Sequence, residues 1–254
     1  MCPHRLLPDD AAEPEPALSV WLAGPAARPL FDPEVQSPPD QLRWQQLSNA
    51  RRREDWEVSR ALLAHVGSSQ RSPVQAAGSP PFSLSHSGGH AAVALSRTAR
   101  RVGVDLEQMR ERDFVRLARF AFAPREQEQL EELQPAARAE RFYFLWTLKE
   151  AFAKALSLPL LQSVAQCTFV QTSDTWHASV PTRAAWLAHV FRPRPSFVLS
   201  VVALLPEALG SDALPPKTEK LAVKTYEWPE QRASLWATLA TLRSSEQRVE
   251  NITP

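Results

Sequence analysis

The chain has 254 residues, 44% of them hydrophobic, and a formal net charge of +1, enough apolar material for one sizeable domain or two small ones. Near-neutral charge excludes a general polyanion or nucleic-acid binder, so any positive surface has to be local. No apolar run approaches the ~20 residues that cross a bilayer, and the amino terminus, Met1 to His4 followed by Asp9, Asp10, Glu13 and Glu15, lacks a charged-then-apolar leader. A soluble cytoplasmic protein is expected. Cys2 and Cys167 make neither a disulfide framework nor a metal-binding spacing.

Taken in order, residues 1–16 read as a flexible lead, and Leu18 to Leu22 as a short strand closed by Gly24-Pro25. From about Asp40 to Val66 the pattern is helical, with a break expected near Ser48-Asn49. A loop, Gly78-Ser79-Pro80-Pro81, leads into Phe82-Ser83-Leu84-Ser85-His86-Ser87-Gly88-Gly89. Residues 90–96 form a strand that turns through Arg97 to Arg100 into a second strand, 101–107, and the two read as a β-hairpin. Asp113 can cap a helix carrying Phe114, Leu117, Ala118 and Ala121, and Pro124 stands like the first residue of another, ending near Leu133. A core helix follows from about Pro135 to Leu156. Strands are expected at 167–171, 175–180, 185–191 and 196–204, and a helix around Pro229 to Leu242 in an extension, 206–254, without functional signal. Strand and helices thus occur twice in similar order, before and after about residue 100, which makes the chain α+β with an amino-terminal half, 17–100, and a carboxyl-terminal half, 101–205.

Two acidic motifs stand out because acids are costly where they lie. In Gly103-Val104-Asp105-Leu106-Glu107 the apolar residues alternate with the acids, so both carboxylates leave one face of the strand. In Trp146-Thr147-Leu148-Lys149-Glu150-Ala151-Phe152-Ala153-Lys154 the surrounding helix is apolar nearly all round, so Glu150 enters a core. Charges in such places persist when paired or when they bind a metal, and two strand acids with a third from a helix suggest a hard-cation site.

These residues resemble the 4'-phosphopantetheinyl transferases, in particular the large single-chain class. Its signatures are a G-(V/I)-D-(L/I)-E strand and a W-x-x-K-E-(A/S)-x-x-K helix, both complete here, with Ser85-His86-Ser87 upstream; the likeness covers roughly residues 40–204. The resemblance implies two similar α/β halves related by a pseudo-twofold axis, with the nucleotide between them, and a monomer, since one chain carries both half-sites. It implies transfer of the phosphopantetheine arm of coenzyme A to a serine of an apo carrier protein, releasing adenosine bisphosphate. It also implies Mg2+ at Asp105, Glu107 and Glu150, because three acids beside a diphosphate need a cation between them. Glu150 is the candidate base and Lys154 its charge compensation. Arg52, Arg60, Ser85, His86 and Lys154 are the expected coenzyme A contacts. Arg52-x-x-Asp55-x-x-x-x-Arg60 resembles a family helix in which Ser59 replaces the usual glycine. Ser79 and Ser83 replace a lysine and an asparagine, and the stretch Ala155 to Leu160 that follows Lys154 lacks the glycine of many relatives. Lys149 fits a structural ion pair as well as it fits catalysis.

Arg112, Arg116 and Arg119 fall at i, i+4 and i+7, so they read as one basic stripe for an acidic carrier protein, with Phe120 or Phe122 as apolar anchors. Two other readings stand beside transfer. One is a different Mg-dependent phosphoryl enzyme built on the same acids. The other is a degenerate module that holds a carrier or a nucleotide without turnover.

Overall fold

The computed structural model describes residues 17–69, 81–173, 175–206, 223–230, 232–233 and 236–244. The expected lead, Ser79 and the remainder of the extension lie outside these residues.

The described chain is a mixed α+β fold of two main sheets. The first contains β1 (Leu18–Ala23), β2 (Phe82–Ser87), β3 (His90–Ser96), β9 (Val223–Trp228) and β10 (Arg232–Ala233), in the order β10-β9-β1-β3-β2. The second contains β4 (Arg101–Gln108), β7 (Trp186–Arg194), β8 (Phe197–Leu204) and β11 (Ala237–Arg243), in the order β11-β7-β8-β4. A small ribbon, β5 (Thr168–Thr172) with β6 (Thr175–Ser179), completes the strands. Helix α1 (Pro38–Gln45) and the long α2 (Ala50–Ser69) belong to the first part of the chain. The second part carries α3 (Phe114–Ala121), α4 (Pro124–Glu131), α5 (Pro135–Leu156) and α6 (Leu160–Gln166).

The same connection occurs in both sheets. A strand leads through a long helix to a hairpin whose second strand returns beside the first: β1, α2, β2-β3 with order β1-β3-β2, then β4, α5, β7-β8 with order β4-β8-β7. Alternation along each strand then makes four layers. Leu18, Val20 and Leu22 face Val104, Leu106, Leu199 and Val201 in a core between the sheets. Trp21, Ala91, Val93 and Leu95 pack outward under Val58 and Leu62 of α2. Val198, Val202 and Leu204 pack the other way under Leu148, Phe152 and Ala155 of α5. Because β8 is covered on both faces, its sequence is a continuous apolar run broken only by Ser200, whose hydroxyl meets Thr147 of α5 at 2.7 Å.

Several expectations are met to within a residue or two. Helix α5 spans Pro135–Leu156, Asp113 caps α3 by accepting from the Arg116 N–H, Pro124 is the first residue of α4, and the chain breaks between α1 and α2 around Ser48-Asn49. Two expectations fail. Strands 90–96 and 101–107 are not a hairpin: β3 is already flanked by β1 and β2, and Arg97 to Arg100 carry the chain into the other sheet, where β4 pairs with β8. The predicted carboxyl-terminal helix is strand. β9 pairs in parallel with β1 and carries β10 outside it, and β11 pairs antiparallel with β7, so the extension adds two strands to the first sheet and one to the second, where open edges favour pairing. Helix α6 was not foreseen.

Lys149 is fully buried. Its ammonium donates to Glu126 Oε2 at 2.7 Å and to the Val164 carbonyl at 2.9 Å, while Glu126 also accepts the N–H groups of Ala123 and Phe169. The lysine thus ties α5 to α4, α6 and β5, which is the structural role. Removing one partner of a buried pair leaves an uncompensated charge and costs ~3–5 kcal/mol. Lys149→Met is therefore expected to lower unfolding stability by about that amount in urea titration.

Candidate active site

The site begins with Gly103. A Cβ built there would lie 1.9 Å from the Ala151 carbonyl oxygen, so the backbone of α5 rests directly on β4. That contact sets Glu150 and Lys154, one helical turn apart, over the strand face that bears Asp105 and Glu107. One carboxylate oxygen from each of Asp105, Glu107 and Glu150 lies within 4.8 Å of the others. The three predicted acids are thus brought together.

Their surroundings explain how they tolerate one another. Asp105 Oδ1 accepts from Lys154 Nζ and from Ser85 Oγ, both at 2.8 Å, and Lys154 also donates to the Val104 carbonyl at 2.9 Å. Glu107 accepts from Ser87 Oγ at 2.9 Å. Burial, then the charge of Asp105, pushes the Glu107 carboxyl up, against the pull of Ser87, Lys154 and Arg112. Glu150 is pushed up to about 8, by burial first and then by Asp105, with Lys154 opposing and Glu107 adding. Asp105 Oδ2 is buried without a donor. An orphaned carboxylate oxygen amid three converging acids is the donor set of a hard divalent cation, so these residues fit Mg2+.

Glu107 opens onto a cleft of about 500 Å³. Arg51, Arg52 and Asp55 of α2 form one wall with His86 and Gly88, and Phe142, Tyr143 and Trp146 of α5 form part of the other. Asp55 accepts the Gly89 N–H at 2.7 Å, which pins α2 to the β2–β3 turn. Gly88 and Gly89, with φ of 59° and 73°, supply the left-handed pair that a two-residue hairpin loop requires. Desolvation by the walls lowers the His86 pKa, outweighing the nearby charge of Asp55.

The other predicted site residues are distributed as follows. Arg52, His86 and Arg112 line the cleft. Ser85 is buried, with its hydroxyl engaged by Asp105 and the Leu106 N–H. Arg60 stacks on Trp56 with its guanidinium carbon 3.9 Å from the ring centroid, and it pairs with Asp40 at 3.0 Å. Its charge is close enough to contribute to the lowered His86 pKa. Because Asp113 is the cap, α3 starts after Arg112, so Arg112 does not share a helical stripe with Arg116 and Arg119; those two stay exposed, Arg119 being 3.8 Å from Glu131. Phe120 is 80% exposed, whereas Phe122 is buried against Phe142 and is no surface anchor. Sequence reasoning missed Ser87, Arg51 and the aromatic wall. The alternation Ser83-x-Ser85-x-Ser87 was the signal available for the first of these.

With this geometry in view, the comparisons are direct. Residues 101–201 match the model of the 4'-phosphopantetheinyl transferase superfamily. The 4'-phosphopantetheinyl transferase AcpT of Escherichia coli K12 is 34% identical over 139 residues, 51% of this chain and 68% of that one. The 4'-phosphopantetheinyl transferase HetI of a Nostoc species is 35% identical over 108 residues, 41% of this chain and 44% of that one. A Synechocystis protein, slr0495, is 46% identical over 78 residues, which is 30% of this chain and 31% of its own length. The chain belongs to the 4'-phosphopantetheinyl transferase superfamily. Among the described residues no helix is long and apolar enough to cross a membrane.

A raised carboxyl pKa has a thermodynamic consequence. Between its unfolded value and about 8, Glu150 binds more protons in the folded state, so stability falls as pH rises through that window. The histidines with lowered pKa act in the opposite sense, but only below ~6.5. In chelator, the thermal midpoint is therefore expected to drop between neutral pH and about pH 8. Added Mg2+ is expected to restore it, more at the alkaline end; a midpoint insensitive to both would remove the crowded-acid account.

Proposed function

We propose that this protein transfers the 4'-phosphopantetheine arm of coenzyme A to a serine hydroxyl of an apo acyl or peptidyl carrier protein, releasing adenosine 3',5'-bisphosphate. The observation that carries the reading is the set of three converging carboxylates, with a donorless oxygen on Asp105, of which Glu107 opens onto a cleft lined by Arg51, Arg52 and His86. Asp105, Glu107 and Glu150 would hold Mg2+, which supplies charge neutralisation on the diphosphate. Arg52 and His86 contact phosphates of coenzyme A from the opposite wall, with Arg60 beside them. Lys154 holds Asp105 in place and offsets the acidic charge. Glu150 takes the proton of the attacking serine.

The repeated strand, helix and hairpin connection supports the large single-chain class, its halves related by a pseudo-twofold axis; a cytoplasmic monomer belongs to the same proposal. Arg116 and Arg119 with the exposed Phe120, beside Arg112 at the cleft, form the surface proposed to dock an acidic carrier.

Incubation with coenzyme A, Mg2+ and an apo carrier should add one phosphopantetheine to the carrier by mass spectrometry. Consumption of coenzyme A without that gain would indicate hydrolysis, and neither change would indicate a binding module. Glu150→Gln keeps size but loses basicity, and turnover is expected to fall ~10²–10⁴-fold; a loss under about tenfold would remove the base role.

The docking surface has its own test. Reversing Arg116 and Arg119 to Glu should raise the Michaelis constant for the carrier several-fold and flatten its salt dependence, while leaving that for coenzyme A unchanged. Equal effects on both substrates would mean a damaged fold instead.

A further inference from the structure

β2 and β4 are the facing edges of different sheets, and no backbone ladder joins them. Serine hydroxyls join them instead. Ser83, Ser85 and Ser87 alternate along β2 and so leave the same side of it. Their Oγ atoms accept the N–H groups of Val104 at 3.0 Å, Leu106 at 3.2 Å and Gln108 at 3.2 Å. These are the amides that β4, as an edge strand, would otherwise leave unpaired.

Two of the hydroxyls have a second task. Once an Oγ accepts an amide, its single proton is left to donate elsewhere. Ser85 donates to Asp105 and Ser87 to Glu107. Ser83 lies against Gly103-Val104, where no carboxylate stands. Asp105 is additionally held by Lys154, but Glu107 is half-buried on a longer side chain with Arg112 close by to draw it aside. We infer that Ser87 is a positioning residue for Glu107, and that the β2 serines fix the cation-binding acids to the strand that presents His86. Each hydroxyl couples backbone position on one sheet to carboxylate orientation on the other, which is how outer groups set the direction of a metal ligand.

The inference rests on the reading of Asp105, Glu107 and Glu150 as a divalent-cation site, and Mn2+ is a probe that reports on it without turnover. Free Mn2+ is counted by electron paramagnetic resonance during titration of the wild type, Ser87→Ala, Ser87→Thr and Ser83→Ala, with thermal midpoints taken alongside. Ser87→Ala is expected to weaken Mn2+ binding by about 10–100-fold. Ser87→Thr, which keeps the hydroxyl, is expected to recover most of it. Ser83→Ala should lower the midpoint and leave affinity within about twofold, because it removes the seam bond without touching an acid. Should Ser87→Ala fail to fold, Ser87→Cys, similar in size and a weak donor, is expected to show the same loss. Wild-type affinity in Ser87→Ala, or in Ser87→Cys where it is the variant used, overturns the inference and spares the cation site. Equal losses in the Ser83 and Ser87 variants overturn it as well, by showing general loosening. A wild type that binds no Mn2+ overturns the cation site itself.

Discussion

The arrangement depends on one contact, the seating of α5 on β4 where Gly103 has no side chain. Three carboxylates within 4.8 Å of one another repel, and the repulsion is strong where water is partly excluded. Nothing local holds them together, since two lie on a strand and one on a helix that begins in a separate part of the chain. The burial of Leu148, Ala151, Phe152 and Ala155 against β4 and β8 holds them, and that burial is deep because a backbone, not a Cβ, meets the Ala151 carbonyl. Apolar packing over the whole helix thus offsets an electrostatic conflict at one end of it. Lys149 and Lys154 divide the remaining work. The first points away from the acids into the Glu126 pair, and the second points at Asp105 and stands in part for the charge a cation would bring.

What the sequence disclosed follows the range over which each feature is determined. The acidic strand and the α5 motif are local patterns whose chemistry needs fixed spacing, so Asp105, Glu107, Glu150 and Lys154 were legible, as were the caps at Asp113 and Pro124. Sheet membership is not local. His90 to Ser96 and Arg101 to Gln108 are joined by a short connection, the usual mark of a hairpin, but each strand has better partners elsewhere in the chain. The same limit applies to Ala237 to Arg243, whose strand character comes from the open edge of β7. For the arginines the error was one of phase. Asp113 starts the helix one residue too late to include Arg112, and a periodicity argument that ignores the cap puts it on the wrong element.

Three departures from the family pattern become intelligible through the backbone. Ser59, in place of glycine, turns its hydroxyl back to the Trp56 carbonyl and stays buried within α2. Ser83, in place of asparagine, caps the Val104 amide. Ser157 ends α5 in the left-handed conformation that glycine usually fills, with φ of 56°, and its Oγ accepts from Arg101. Each hydroxyl is used to satisfy a backbone group or to hold a cap.

The two halves meet at one cleft. The first supplies Arg51, Arg52 and His86 with Asp55, and the second supplies Glu107 with Arg110 and Arg112, Glu107 being one of the three converging acids. A site divided in this way works only if the halves keep their spacing, yet the facing edges β2 and β4 share no ladder that would fix it. The carboxyl-terminal strands bear on the same need from the far side. β9 lengthens the first sheet and β11 the second, Trp236 between them is buried in the inter-sheet core, and Glu227 of β9 reaches Arg194 of β7 at 3.5 Å. A segment that carries no functional motif therefore binds the halves at one margin, and the serine hydroxyls bind them at the other. The spacing of the two halves is thus set by short buried hydroxyls and by the packed Trp236 rather than by the long side chains that line the cleft.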